Sequence, residues 1–180
     1  MFRRALAACA LATLASAPAL AALTNGAKAP NFTAQASLGG KVYTFSLADA
    51  LKKGPVVLYF YPAAFTKGCT IEAHNFADAM PDFAKMHATV IGISHDPIKK
   101  LQEFSTSACR STFPVAADTD DQAIEKSYDA VLDKMPKYAN RTSYVIAKDG
   151  TIAYSYTNLD PTDHVKNLLD AVKALEAKGH

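Results

Sequence analysis

An α/β fold with a mixed central sheet, helices on both of its faces and an N-terminal hairpin is predicted by three features of this 180-residue chain. Residues 56–61 and Thr89–Ser94 are short, nearly continuous β-branched and aromatic runs, the composition of strands buried on both faces. Segments with apolar residues at helical spacing lie between and after those runs. Gly39-Gly40 and Lys148-Asp149-Gly150 each sit between strand-like stretches and read as hairpin turns.

Taken in order, residues 31–37 and 41–45 form the first hairpin around the glycine pair. The Ser46 hydroxyl can cap a short helix over residues 47–53, which Gly54-Pro55 ends. Residues 56–61 then make a central strand. Ile71, Phe76, Met80, Phe83 and Met86 predict a helix over residues 69–87, kinked or divided at Pro81. A second apolar strand, Thr89–Ser94, follows. Pro97 suits the first turn of a helix reaching residue 109, with Ile98, Leu101 and Phe104 on one face. Residues 113–118 return as a short strand and residues 121–131 as a helix. Strands over 142–147 and 152–156 flank the second turn. The closing helix, residues 162–177, turns Val165, Leu168, Leu169, Val172 and Leu175 inward. Strand–helix–strand, then a hairpin and a last helix, is the order of a thioredoxin-like fold.

Met1-Phe2-Arg3-Arg4, an Ala/Leu-rich run and small-residue steps near Ala19-Leu20-Ala21 predict a signal peptide over residues 1–22. The expected mature chain is then one domain, residues 23–180, exported and periplasmic, with the short polar stretch at residues 24–29 expected as a loose N-terminus. The apolar run is too short to remain as a membrane anchor, and Cys9 lies too close to Arg4 for a lipoprotein signal. Lys and Arg number 19 and Asp and Glu 17, so losing Arg3 and Arg4 leaves a neutral balance. Neutrality without a basic cluster argues against nucleic-acid binding. Cys69 and Cys109 are the thiols that remain, one structural staple or two reactive groups.

Cys69 closes Tyr61-Pro62-Ala63-Ala64-Phe65-Thr66-Lys67-Gly68-Cys69, where an apolar strand turns into a helix. The first helical turn has unpaired N–H groups and about half a positive charge, which favours a thiolate. Thr66 offers a hydroxyl that can meet a ligand oxygen or serve as an ordinary N-cap, and Pro62 shields the sulfur from water.

Pro62-x-x-x-Thr66-x-x-Cys69 resembles the active-site signature of peroxiredoxins, thiol peroxidases that reduce hydroperoxides. The wider stretch through Thr70-x-Glu72-Ala73, then Gly92-Ile93-Ser94-x-Asp96 and Asn140-Arg141-Thr142-Ser143-Tyr144-Val145-Ile146, is similar to the bacterioferritin-comigratory (Q-type) subgroup. The resemblance implies that Cys69 attacks a peroxide O–O bond and becomes a sulfenic acid. It implies that Arg141 pairs with the sulfur, that Thr66 and the Gly68 and Cys69 amides hold substrate oxygens, and that no cofactor or metal takes part. Glu72, one turn after Cys69, is placed to orient Arg141 or simply to suit the helix dipole.

Two positions depart from that subgroup. His74 stands where many relatives carry a second cysteine, and Lys67 stands where many carry proline. Cys109, among Ser105, Thr106, Ser107, Arg110 and Ser111, is expected in an exposed polar setting. It is the candidate resolving thiol; an external thiol is the alternative. A thioredoxin-like reductant is implied by resemblance alone, acting on a monomer or weak homodimer. A thiol–disulfide oxidoreductase would need a second cysteine where Glu72 stands, and a copper-delivering module would need two nearby cysteines. Of His74, His87, His95 and His164, His74 lies five residues after Cys69 and so off its helix face, no metal ligation is expected, and no glycine-rich phosphate loop precedes a helix.

Overall fold

The computed structural model describes residues 22–179; the leader expected over residues 1–22, Cys9 included, lies outside the described residues except for Ala22. The seven strands are β1 Thr33–Leu38, β2 Lys41–Ser46, β3 Val56–Phe60, β4 Thr89–Ser94, β5 Val115–Ala117, β6 Thr142–Ile146 and β7 Ile152–Thr157. They form one sheet in the order β2-β1-β5-β4-β3-β6-β7. β3 pairs parallel with β4 and antiparallel with β6, so the sheet is mixed. The helices are α1 Leu47–Leu51, α2 Lys67–Lys85, α3 Ile98–Ser107, α4 Ala123–Ser127 and α5 His164–Ala177.

All five residues of β3 are buried, and their alternation supplies both apolar layers. Val57 and Tyr59, with Tyr61 beyond the strand, pack with Phe76 and Phe83 of α2, Leu101 and Phe104 of α3 and Leu168 and Val172 of α5. Val56, Leu58 and Phe60 face the other way, toward Leu47 of α1, Tyr128, Tyr144 and Ile124 of α4. Tyr59 stacks on Phe76 with ring centroids 4.4 Å apart, a pairing worth about 0.5–1.5 kcal/mol beyond area burial. That ring requires glycine on the neighbouring strand, because a Cβ at Gly92 would lie 2.5 Å from Tyr59 Cζ.

Three local expectations are corrected. Pro81 does not divide α2: the helix continues to Lys85, with Pro81 on its exposed side. The helix expected over residues 121–131 contracts to Ala123–Ser127, because Asp121, Gln122 and Asp129 take left-handed backbone angles, with φ of 48°, 54° and 50°. Residues 24–29 are not a loose tail: Gly26 N–H and Ala29 N–H donate to the Ile152 and Gly150 carbonyls at 2.8 and 2.9 Å. No described helix is long and apolar enough to cross a membrane.

Candidate active site

The end of β3 delivers the chain to the loop before α2, and a carboxylate from the neighbouring strand fixes that loop. Asp96, just beyond β4, accepts the Ala64 N–H at 2.6 Å and the Ser94 hydroxyl at 2.9 Å. Lys100 neutralises its other oxygen at 2.7 Å. Pro62, half-buried, walls a cleft of about 350 Å³ with His95 and Lys137 on its far side. Phe65 adopts the left-handed region, φ 68°, and its exposed ring stands edge-on to Phe104 at 5.2 Å.

Thr66 is the N-cap residue of α2, but its hydroxyl donates to the Ala63 carbonyl at 3.0 Å and makes no cap bond. The oxygen lone pairs stay open on an exposed side chain. The first α-helical bond runs from Thr70 N–H to the Thr66 carbonyl at 2.9 Å. The amides of Lys67, Gly68 and Cys69 therefore belong to the turn that has no intrahelical acceptor. Cys69 sits at the third helical position and is 1 % exposed.

β6 brings the guanidinium to that sulfur. Thr142 pairs with Phe60, so Arg141, one residue earlier, emerges beside the end of β3 and the start of α2. Its Nη2 lies 3.5 Å from Cys69 Sγ, its Nη1 donates to Glu72 Oε2, and its Nε donates to the Leu159 carbonyl at 2.9 Å. Three anchors hold one buried fork. Gly68 makes room for it: a Cβ there would lie 3.2 Å from Nη2 and 3.9 Å from Pro161 Cγ. Burial works against the Arg141 charge, and Glu72 and Cys69 more than offset it.

Glu72 has no exposed surface. Burial pushes its carboxyl up to about 7, against the pull of Arg141. Its second oxygen, Oε1, has no hydrogen-bond partner and faces His164 Nδ1 at 3.7 Å. His164, fully buried at the start of α5, contacts Ser143 Oγ through Nδ1 at 2.7 Å and the Asn158 carbonyl through Nε2 at 2.8 Å. Burial holds this imidazole down near 4.

Cys109 corrects the expectation of exposure. It is 0 % exposed and packs in the same apolar layer as Cys69, and burial pushes its thiol far above the ordinary range. The polar neighbours mislead because they are spent locally: Ser105 is itself buried, bonding Ser37 at 3.0 Å and Gly40 N–H at 2.9 Å. α3 stops at Ser107, and the turn after it rotates Cys109 inward. Arg110 and Ser111 complete that turn in left-handed conformations, φ 49° and 57°. Cys69 and Cys109 are both free thiols.

Thus the fold gathers Thr66, Gly68, Cys69, Glu72 and Arg141 at the head of α2, with Pro62 upstream lining the cleft beside Asp96, while Cys109 lies in the core at the end of α3. Sequence reading gave no role to Asp96, to the Leu159 carbonyl or to His164. The Ser94-x-Asp96 run could have pointed to the first. Nothing local to the other two marks them, since both act across the fold.

A family model described as AhpC/TSA matches residues 25–155. Over 153 residues the chain is 37% identical to a Mycobacterium tuberculosis protein named as a peroxiredoxin, covering 81% of this chain and 92% of the relative. It is 34% identical over 154 residues to the chloroplastic peroxiredoxin Q of Oryza sativa subsp. japonica, covering 85% and 68%. Among solved structures it superposes on the peroxidoxin BcpB of Mycobacterium tuberculosis with a TM-score of 0.74 at 29% identity, covering 83% and 96%. On Xanthomonas campestris peroxiredoxin Q the TM-score is 0.68 at 27% identity, covering 78% and 89%.

Proposed function

The chain belongs to the AhpC/TSA family and is a peroxidase of the peroxiredoxin kind, and from that premise we propose that Cys69 reduces hydrogen peroxide and organic hydroperoxides outside the cytoplasm. One observation carries the assignment of the sulfur: Cys69 Sγ lies at the amide-rich start of α2 with Arg141 Nη2 at 3.5 Å. The thiolate attacks the terminal peroxide oxygen; the S–O bond forms, the O–O bond breaks and an alkoxide or hydroxide leaves. Arg141 and the first-turn amides stabilise charge as it passes from sulfur to oxygen, and Thr66 holds a substrate oxygen on the exposed side. Pro62 limits water.

The product is a sulfenic acid at Cys69, which a second thiol must reduce. Cys109 is that thiol in this reading, after the strained corner at Arg110 and Ser111 opens; a thioredoxin-like protein then regenerates both. Buried as it stands, Cys109 cannot attack from the closed fold. The N-terminal leader expected from the sequence supports action in an oxidising compartment, where a disulfide between residues 69 and 109 can persist.

The test is peroxide consumption by Cys69→Ser together with mass spectrometry of the wild type after one equivalent of peroxide. Loss of consumption with an intact fold is expected, and a disulfide linking residues 69 and 109. Wild-type consumption by the variant overturns the role of Cys69, and a persistent sulfenic acid assigns reduction to an external thiol.

A further inference from the structure

The buried environment of Arg141 is one proton short of being satisfied. A carbonyl oxygen only accepts, so the 2.8 Å contact to Asn158 places a proton on His164 Nε2. In a neutral imidazole Nδ1 is then bare, and it accepts from the Ser143 hydroxyl at 2.7 Å. This leaves Glu72 Oε1, which has no donor, facing a nitrogen lone pair at 3.7 Å. Two acceptors face each other with no surface exposure. A single added proton, on either atom, removes the conflict.

The charges nearby fix when that proton is held. With Cys69 as thiolate, Arg141 protonated and Glu72 ionised, the buried group carries one net negative charge; one proton on Glu72 or His164 makes it neutral. The other charged or titratable groups facing the pair are Arg141 before β6, Tyr59 of β3 with a buried hydroxyl that has no hydrogen-bond partner, Tyr156 of β7 with its ring 4.7 Å from His164, and Asp160 and Asp163 before α5. Of these only Arg141 bonds both Glu72 and the sulfur, and Tyr59 keeps its proton because burial pushes its hydroxyl far above the ordinary range. When oxidation turns the thiolate into a neutral sulfenic acid, the same proton leaves the group with a net positive charge, and it is expelled.

We propose that Glu72 and His164 form a one-proton store behind Arg141, filled while Cys69 carries charge and emptied as the sulfur is oxidised. The proposal rests on the peroxidase reading. The overall step is thiolate plus hydroperoxide plus one proton giving sulfenic acid plus alcohol or water, and the store supplies the proton that the leaving oxygen takes up. His164 is a positioning residue, since it touches neither sulfur nor substrate. Burial raises Glu72 and lowers His164, so the stored proton rests on the carboxyl side near neutral pH.

The experiment counts protons. Reduced protein near pH 7, in unbuffered solution with an indicator dye, receives one equivalent of hydrogen peroxide, while mass spectrometry reports how much Cys69 has been oxidised. Without a store about one proton is drawn from solution per thiolate oxidised; with a filled store, close to none. Wild type is expected to draw close to none, and Glu72→Gln and His164→Gln about one. Condensation with Cys109 expels water and leaves the count unchanged. Carbon-13 spectra of the His164 ring in the wild type, reduced and oxidised, give a readout independent of whether a variant folds. A change in the ring signals on oxidation is expected. Equal proton uptake in wild type and variants, or ring signals indifferent to oxidation, overturns the store and leaves the peroxidase standing. A Cys69 that peroxide does not oxidise overturns both.

Discussion

Replacing Arg141 with alanine separates what the guanidinium does for the reaction from what it does for the fold. The variant loses the N–H group 3.5 Å from Cys69 Sγ and the partner of Glu72, in a pair with side chains 5% and 0% exposed. A preorganised donor at the site of developing charge is worth about 10²–10³ in rate, so single-turnover oxidation of Cys69 should slow by that factor. Stripping one partner from a buried ion pair costs about 3–5 kcal/mol when the other stays charged. Glu72 can escape by taking a proton, because burial already raises its carboxyl to about 7. A folded-state value above the ordinary carboxyl value means that the proton-bound form stabilises the fold at low pH, and that this contribution is lost as pH rises. The destabilisation should therefore be slight in acid and grow through neutrality. Stopped-flow oxidation and urea unfolding across that range read the two effects. Adding Glu72→Gln to Arg141→Ala should recover stability and leave the rate low. A rate within about threefold of wild type in a folded Arg141→Ala variant, or a rate rescued by the glutamine, would refute the reasoning.

Gly68→Ala places a methyl 3.2 Å from Arg141 Nη2, so the fork must yield by a few tenths of an ångström; oxidation should slow by about tenfold with no loss of unfolding midpoint, read by the same two assays. Cys109→Ser should leave the first oxidation at the wild-type rate and abolish the 69–109 disulfide, with mass spectrometry as the check. Glu125 is buried, and burial followed by Asp118 and Asp96 lifts its carboxyl to about 8 from an ordinary 4.5. Its stabilising contribution is complete below about 4.5 and disappears as pH climbs to about 8, so Glu125→Gln should flatten the fall in urea midpoint across that window.

The fold was legible where pattern and burial coincide. The buried run at β3 and the helical spacing of Phe76 and Phe83 gave the central strand and α2, because the positions that signal each element are those that pack. Thr66 was legible from its place before the helix, Gly68 and Arg141 through motif resemblance alone, and the meeting of Arg141 with Cys69 depends on a β3–β6 register that no local feature announces. Cys109 misled because a run of polar neighbours says nothing of which way a chain turns after a helix ends. Residues 121–131 misled in the same manner, through left-handed residues that no glycine flags. His164 and the Leu159 carbonyl reach the site from after β7, beyond the range of spacing arguments.

Phe104 links two parts of the molecule that chemistry treats separately. Its ring meets Phe65 at 5.2 Å and Tyr61 at 5.7 Å, while its carbonyl accepts the Cys109 N–H at 3.1 Å. Opening the turn after α3 far enough to release residue 109 breaks its bond to the Phe104 carbonyl and thus loosens the buttress under the segment that presents Thr66. If Cys109 is the resolving thiol as proposed, admission of an oxidant and delivery of the second sulfur are mutually exclusive postures of one chain, taken in turn.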